Sequence, residues 1–426
     1  MLDPAPRDPA QRFWDPEAQT MPPDQRRALQ DERLRDVIQR AFSAPVPFFR
    51  RRLEEAGAGP GDIASVDDLD RLPLTVKQDL RDSEREAPPV GDYRFTDLHQ
   101  CVRLGTSTGT TGTPTVMLWT RHDLRVEYEC AARSWWRMGI RPGMVCTHAH
   151  PGYLYGGGLM LSGAYEYFGA LNLWVPPPDT DELAEQALRM WMRIKPDVPF
   201  MGFALARFFE VAAKLGIANE DAALRIPNLP SGPPAMATAG AECFAFLAGA
   251  CEQQRGGHIA EDYASVQAVD RSTGRQVPDG EWGDLVVTTF GRDNCLIRYD
   301  LEEACRVERT PCECGETTAR GWWGGRYQDL IRTQGKRLQL FDLEDVLRAL
   351  PEICTPSLEY VVVRPQREDA PLAVRVERGD GTGANGTDDR VAQLLRERLG
   401  VHAEVVVMER GSLPRFGYKA IRVVDS

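Results

Sequence analysis

No apolar run in this 426-residue chain approaches the roughly 18 residues needed to cross a bilayer, so a membrane-spanning helix is not expected. The first twenty residues include Asp3, Pro4, Pro6, Asp8 and Asp15. They lack the basic-then-apolar pattern of a secretory leader, and the chain is read as cytoplasmic. Basic residues are in deficit too. The 51 Lys and Arg stand against 63 Asp and Glu, and the resulting net charge of −12 argues against nonspecific binding to nucleic acid or an anionic membrane. No internal repeat is visible. Cysteine is not scarce, but ten thiols in a cytoplasmic protein are expected to be reduced, so a close cluster points to a metal and not to disulfides.

With 42% hydrophobic and 27% charged residues, the composition is that of a globular protein, and the length suggests a large domain plus a smaller one. Leu29, Leu34, Val37, Ile38 and Phe42 recur at helical spacing within residues 24–43, and a second helix is expected over Pro47 to Ala56. From about residue 100, short apolar runs such as Leu171 to Val175 and Leu285 to Phe290 alternate with helical patterns, as in a layered α/β protein. The last hundred residues read as a compact α+β unit. Strands are expected at Glu359 to Val363, Leu372 to Val376 and Glu404 to Met408, and helices at Leu343 to Leu350 and Asp388 to Leu399. Arg378 to Asp389, rich in Gly and Asp, reads as a mobile loop. The fold class is therefore α/β, with a large N-terminal domain over 1–326 and a small mobile α+β domain over 327–426.

Leu104 to Thr115 reads LGTSTGTTGTPT. Glycines let backbone amides approach a phosphate, and hydroxyls add donors that leave room for magnesium beside the charge. The segment is neither a Walker A loop nor a dinucleotide GxGxxG, and a plain Ser/Thr/Gly surface loop is the competing reading. The stretch Ser107, Thr108, Gly109, Thr110, Thr111, Gly112, Thr113, Pro114 resembles the phosphate signature of the adenylate-forming superfamily, which includes acyl-CoA ligases, adenylation domains and luciferases. The resemblance implies that Ser107 to Gly112 hold the β- and γ-phosphates of ATP; Thr113 replaces the usual Lys.

The companion motifs follow in order. Gly280 to Phe290 and Leu296-Ile-Arg-Tyr299 resemble the phenylacetate-CoA ligase branch, and counting on without gaps puts the family's ribose-binding carboxylate at Glu303. The usual Gly-Asp pair is replaced by Glu302-Glu303. Glu302 lacks a glycine's backbone freedom, and a solvated acidic helix start is the alternative reading of the pair. Gly325-Arg326 with Asp329 resembles the family hinge, Arg326 touching the nucleotide. Ser412 to Arg422 resembles the C-terminal motif, which implies that Lys419 is the adenylation lysine, bridging the carboxylate nucleophile and the α-phosphate. Gly240-Ala241-Glu242 is followed nine residues later by Cys251, so the helix and strand that normally separate two acidic motifs are missing. Glu242 then stands for the adenine wall, the magnesium ligand, or both. The family features run from about Phe49 to Asp425.

Cys251, His258, Cys312 and Cys314 offer three thiolates and one imidazole, a set that satisfies tetrahedral zinc in a closed structural site. The branch often carries a similar set. Cys305 is the main alternative ligand and Cys243 a weaker one, and reduced cysteines packed as small hydrophobes are the competing reading. Ala149 to Tyr167, with Gly156 to Gly158 and Tyr155, is the stretch where the resemblance places the acyl pocket, though core packing would use the same residues; His148 and His150 could position a carboxylate. The resemblance therefore implies an enzyme that adenylates a small aromatic carboxylate with ATP and Mg2+ and passes it to CoA. Alternatives are a carrier-protein thiol, an amine, or nitrite activation for diazotisation in natural-product biosynthesis, and a catalytically silent binding protein. The oligomeric state is open, a homodimer included.

Overall fold

The computed structural model describes residues 7–107, 113–150, 156–200, 205–218, 246–354, 357–379, 386–415 and 421–425. The chain divides into two compact units, one of residues 1–144, 152–171 and 227–323, the other of 145–151, 172–226 and 324–426. Among the described residues, no helix is long and apolar enough to cross a membrane.

In the first unit, the expected N-terminal helix spans Pro23–Ser43 and buries Leu34, Val37 and Ile38 on one face, with Leu29 and Phe42 half-buried at its margin. The next helix, Phe48–Glu55, buries Phe48, Phe49 and Leu53. The longest helix of the middle region, Arg121–Arg137, opens on a reciprocal cap. Thr120 Oγ1 accepts from the Asp123 amide at 3.1 Å, and Asp123 Oδ2 accepts from the Thr120 amide at 3.0 Å. Its Trp135 stacks on Tyr165 of helix Gly156–Phe168, ring centroids 4.1 Å apart. Beside them runs a seven-stranded sheet in the order Ala248–Ala250, Gly257–Ile259, Arg320–Arg326, Tyr299–Glu308, Trp282–Thr289, Ala264–Asp270, Arg275–Gln276. The apolar run near residue 285 is one of these strands, and Leu285, Val286 and Val287 are fully buried, covered on both faces of the sheet.

The second unit holds a three-stranded sheet, Leu171–Trp174, Val145–His148, Val198–Phe200, in which the last two are parallel. Helices Asp181–Ile194 and Leu205–Lys214 share a core of Ala184, Ala187, Leu188, Trp191, Phe208 and Ala212. Its C-terminal part carries four strands in the order Ala403–Met408, Leu372–Glu377, Tyr360–Val363, Val423–Val424, with helices Leu340–Leu347 and Thr387–Leu399. Val391 and Leu395 are fully buried against the same cluster as Tyr360, Val362, Leu372 and Val374. This is the α+β arrangement expected from the pattern. Boundaries shift: helix Leu340–Leu347 starts and ends three residues before the expected Leu343 to Leu350, and helix Thr387–Leu399, one residue longer than expected, begins inside the stretch read as a loop. Gly386, at φ +79°, allows the turn, and Asp388 and Asp389 complement the helix dipole. Residues 380–385 of that stretch lie outside the described residues.

Candidate active site

The hydroxyl-rich segment is held at the end of a hairpin. Strands Cys101–Thr106 and Val116–Thr120 pair antiparallel, with Thr106 opposite Val116 as the last rung. Beyond it the Ser107 amide donates to the Thr115 carbonyl at 2.9 Å, and the Thr115 amide and hydroxyl both donate to Ser107 Oγ at 3.0 Å. Ser107 and Thr115 are buried, so the sequence signature hangs from a clamped base. Thr108, Gly109, Thr110, Thr111 and Gly112 lie outside the described residues. The base is braced from a third side, where the Tyr93 hydroxyl donates to the Val116 carbonyl at 2.6 Å and Glu84 Oε1 accepts from the Val116 amide at 2.7 Å. Gly105 is required by close approach, because a Cβ there would sit 3.1 Å from the Trp119 ring and 3.2 Å from the Gly156 backbone. The glycine run therefore starts a packed helix whose Tyr165 and Phe168 are core residues, and Tyr155 lies outside the described residues.

Glu303 sits in strand Tyr299–Glu308, not at a helix start. Pairing with Trp282–Thr289 matches Asp300 to Val286 and Ala304 to Asp284, so three residues, Leu301 to Glu303, face Leu285 alone and the strand bulges. Glu302 occupies the left-handed region at φ +57°, a conformation that suits glycine best. The residue that was expected to lack this backbone freedom adopts the conformation anyway. Its amide donates to Asp300 Oδ1 at 2.8 Å, and Arg271 bridges Asp300, at 3.1 Å, and Asp284, at 2.6 Å. Burial pushes the Asp284 carboxyl up to about 6 against the opposing pull of Arg271. Sequence reading missed Arg271, Asp284 and Asp300, whose residue types carry no signal until the bulge brings them together.

Arg326 is in the second unit, at the end of strand Arg320–Arg326, half-buried, with Gly325 before it at φ +97°. Burial raises the nearby Asp329 carboxyl, opposed by Arg326 and Arg364. Lys419 lies outside the described residues; Arg415, the last described residue before it, is held by two carboxylates. That guanidinium bonds both carboxylate oxygens of fully buried Glu377, at 2.8 and 2.7 Å, and Glu210 at 2.7 Å. Burial would raise the Glu377 carboxyl; Arg415 and the amides of Leu413 and Gly411 hold it below the usual range. Glu242 and Cys243 also lie outside the described residues. His148, buried and tilted against Trp174, is pushed down to about 3 by burial and by His150, so it is a neutral imidazole at neutral pH.

The four metal-type residues do come together. Their ligand atoms all lie within 4.8 Å of one another, Cys251 Sγ and Cys312 Sγ 3.8 Å apart and Cys314 Sγ 3.3 Å from His258 Nε2. A tetrahedron with metal–sulfur bonds of ~2.3 Å has sulfur–sulfur edges of ~3.8 Å, so the donors fit an ion of zinc's size. His258 Nδ1 faces the Thr318 hydroxyl at 3.1 Å and its carbonyl at 3.3 Å, which leaves Nε2 for the ion. Cys314 and His258 hold the Cys251 thiol down at about 3, and Cys314, next to that thiolate, is pushed up. Cys305 is not part of the group; its buried thiol donates to the Gln267 carbonyl at 3.7 Å.

Residues 341–426 match the family model of the AMP-binding enzyme C-terminal domain. Across 97% of this chain and 99% of the relative, the sequence is 31% identical to phenylacetate-coenzyme A ligase of Thermus thermophilus. The chain belongs to the phenylacetate-CoA ligase family. It is an enzyme of the AMP-forming acid–thiol ligase class, with the α/β fold and C-terminal AMP-binding domain of adenylate-forming ligases. The phenylacetate-coenzyme A ligase of Escherichia coli is 27% identical over 94% of this chain and 95% of its own length. The crystal structure of 2-hydroxyisobutyryl-CoA ligase with 2-HIB-AMP, in its postadenylation state, is 25% identical and superposes with a TM-score of 0.84, covering 100% of this chain and 94% of that one. The alignment to the Thermus ligase runs over 455 positions against 426 residues here, so that phenylacetate-CoA ligase has segments with no counterpart in this family member.

Proposed function

We propose that this ligase activates a small aromatic carboxylate with ATP and delivers it to coenzyme A. In the first half-reaction a carboxylate oxygen attacks the α-phosphorus and pyrophosphate leaves; in the second a thiol sulfur attacks the acyl carbon and AMP leaves. The observation that carries the reading is the clamp between Ser107, the first residue of the signature-like sequence, and Thr115, just past its end, in a chain aligned with phenylacetate-CoA ligases along nearly its whole length.

In this reading Ser107 to Gly112 receive the β- and γ-phosphates, Glu303 accepts the ribose hydroxyls, and Arg326 touches the nucleotide. Lys419 neutralises charge accumulating between carboxylate and α-phosphate. Glu242 serves the adenine wall or the magnesium that accompanies the triphosphate. Residues 327–426 act as the lid, turning about the Gly325-Arg326 hinge between half-reactions. Arg415 is anchored to Glu377 within residues 327–426, and its second pair, with Glu210 outside that stretch, would have to break as the lid turns. Cys251, His258, Cys312 and Cys314 hold a structural zinc; with four protein donors it would have no open position for chemistry.

Aromatic acids are favoured because the curated relatives are named for phenylacetate. A short branched hydroxy acid is the second reading, favoured by the likeness to 2-hydroxyisobutyryl-CoA ligase. Pyrophosphate release measured over aryl and short aliphatic acids decides between them, and mass spectrometry for the thioester after adding CoA tests the acceptor. Release with no acid at all would sink the proposal; release with aliphatic acids alone would establish the second reading.

A further inference from the structure

The bulge at Leu301 to Glu303 is held in place from outside the nucleotide site. A left-handed non-glycine residue is conformationally costly and persists only where its surroundings impose it. At Glu302 the imposing group is Asp300. Its side chain is nearly fully buried, and its Oδ1 accepts the amide that the bulge removes from the strand ladder, at 2.8 Å. Asp300 is fixed in turn: its own amide donates to the Thr75 carbonyl at 2.9 Å, and its Oδ2 accepts from Arg271. Arg271 is anchored by Asp284 on the neighbouring strand. Glu302 is exposed and Glu303, the next residue, is half-buried, so the direction of the Glu303 carboxylate follows from how Glu302 is turned.

We propose that Asp300, braced by Arg271, is a positioning residue for nucleotide recognition: it locks the Glu302 turn and thereby aims Glu303 at the ribose hydroxyls. The proposal rests on the reading of Glu303 given above. Asp300 touches no substrate; its effect passes through one backbone hydrogen bond.

The test compares binding of ATP and 2′,3′-dideoxy-ATP by calorimetry in the full-length protein, since only a group acting on the ribose hydroxyls changes their ratio. Wild type should prefer ATP, and Glu303→Ala should abolish the preference. Asp300→Ala should lower it about tenfold. Glu302→Gly in the Asp300→Ala background should restore it, because glycine adopts the left-handed turn without the hydrogen bond. A merely structural role for Asp300 would weaken both nucleotides equally and would not be rescued, and that outcome overturns the proposal. If Glu303→Ala leaves the preference intact, the ribose reading itself fails, and the proposal with it. If Glu303→Ala removes it while Asp300→Ala does not, only the positioning role is lost.

Discussion

The Cys/His cluster, one strand residue and three from connecting segments, and the Glu302–Glu303 bulge lie in the same unit, yet they are built on opposite principles. The cluster is made of side-chain identity. Three sulfurs and a ring nitrogen converge within 4.8 Å, and any backbone that brings them there will do. The bulge is made of backbone conformation, with one residue at φ +57° pinned by a single amide bond to Asp300. A site of the first kind depends on residue identity, so removing a donor should break it; a site of the second kind depends on a strained backbone, so relieving or unpinning the turn should change it.

Removing the cluster's ion should give the largest effect. Purified protein is expected to carry one zinc per chain by elemental analysis, and Cys312→Ser or exhaustive chelation should lower Tm by ~10 °C or more. Zinc-free protein of unchanged Tm would make the cluster no more than packed thiols. Next comes the Arg415 anchor. Arg415→Met removes the two-bonded partner of the buried Glu377 carboxylate, leaving it the Leu413 and Gly411 amides and Arg410 at 3.8 Å, and should cost ~1.5–3 kcal/mol in urea unfolding. The pH dependence follows from the sign of the shift. Glu377 is held below its unfolded value, so its contribution is complete above about pH 4.3 and is lost as pH falls through the folded value. The difference between wild type and Arg415→Met should therefore shrink in acid, and a penalty independent of pH would point to lost packing instead. The smallest effect belongs to the bulge: Glu302→Gly should stabilise by ~0.5–1 kcal/mol, read as a higher urea midpoint, whereas destabilisation would mean that the Glu302 side chain holds the turn.

The same contrast explains what could be read from the sequence. Leu34, Val37 and Ile38, or Val391 and Leu395, announce helices because periodicity is local, and the four metal donors announce themselves by residue type. Glu303 was placed by counting from a motif, but its setting was not legible. Nothing in Glu302-Glu303 distinguishes a solvated helix start from a bulged strand until Val286 and Asp284 pair opposite it. Arg271, Asp284 and Asp300 are common residues whose meaning comes only from contacts across strands. Glu377 and Glu210 likewise acquire a role from Arg415, far away in sequence.

The most direct test of adenylation is acyl-AMP formation from ATP, magnesium and phenylacetate without CoA, followed by mass spectrometry in wild type and Lys419→Ala. The predicted result is phenylacetyl-AMP from wild type and none from the folded variant. Acyl-AMP formed at equal rates by both, or by neither with any acid tried, would contradict the account.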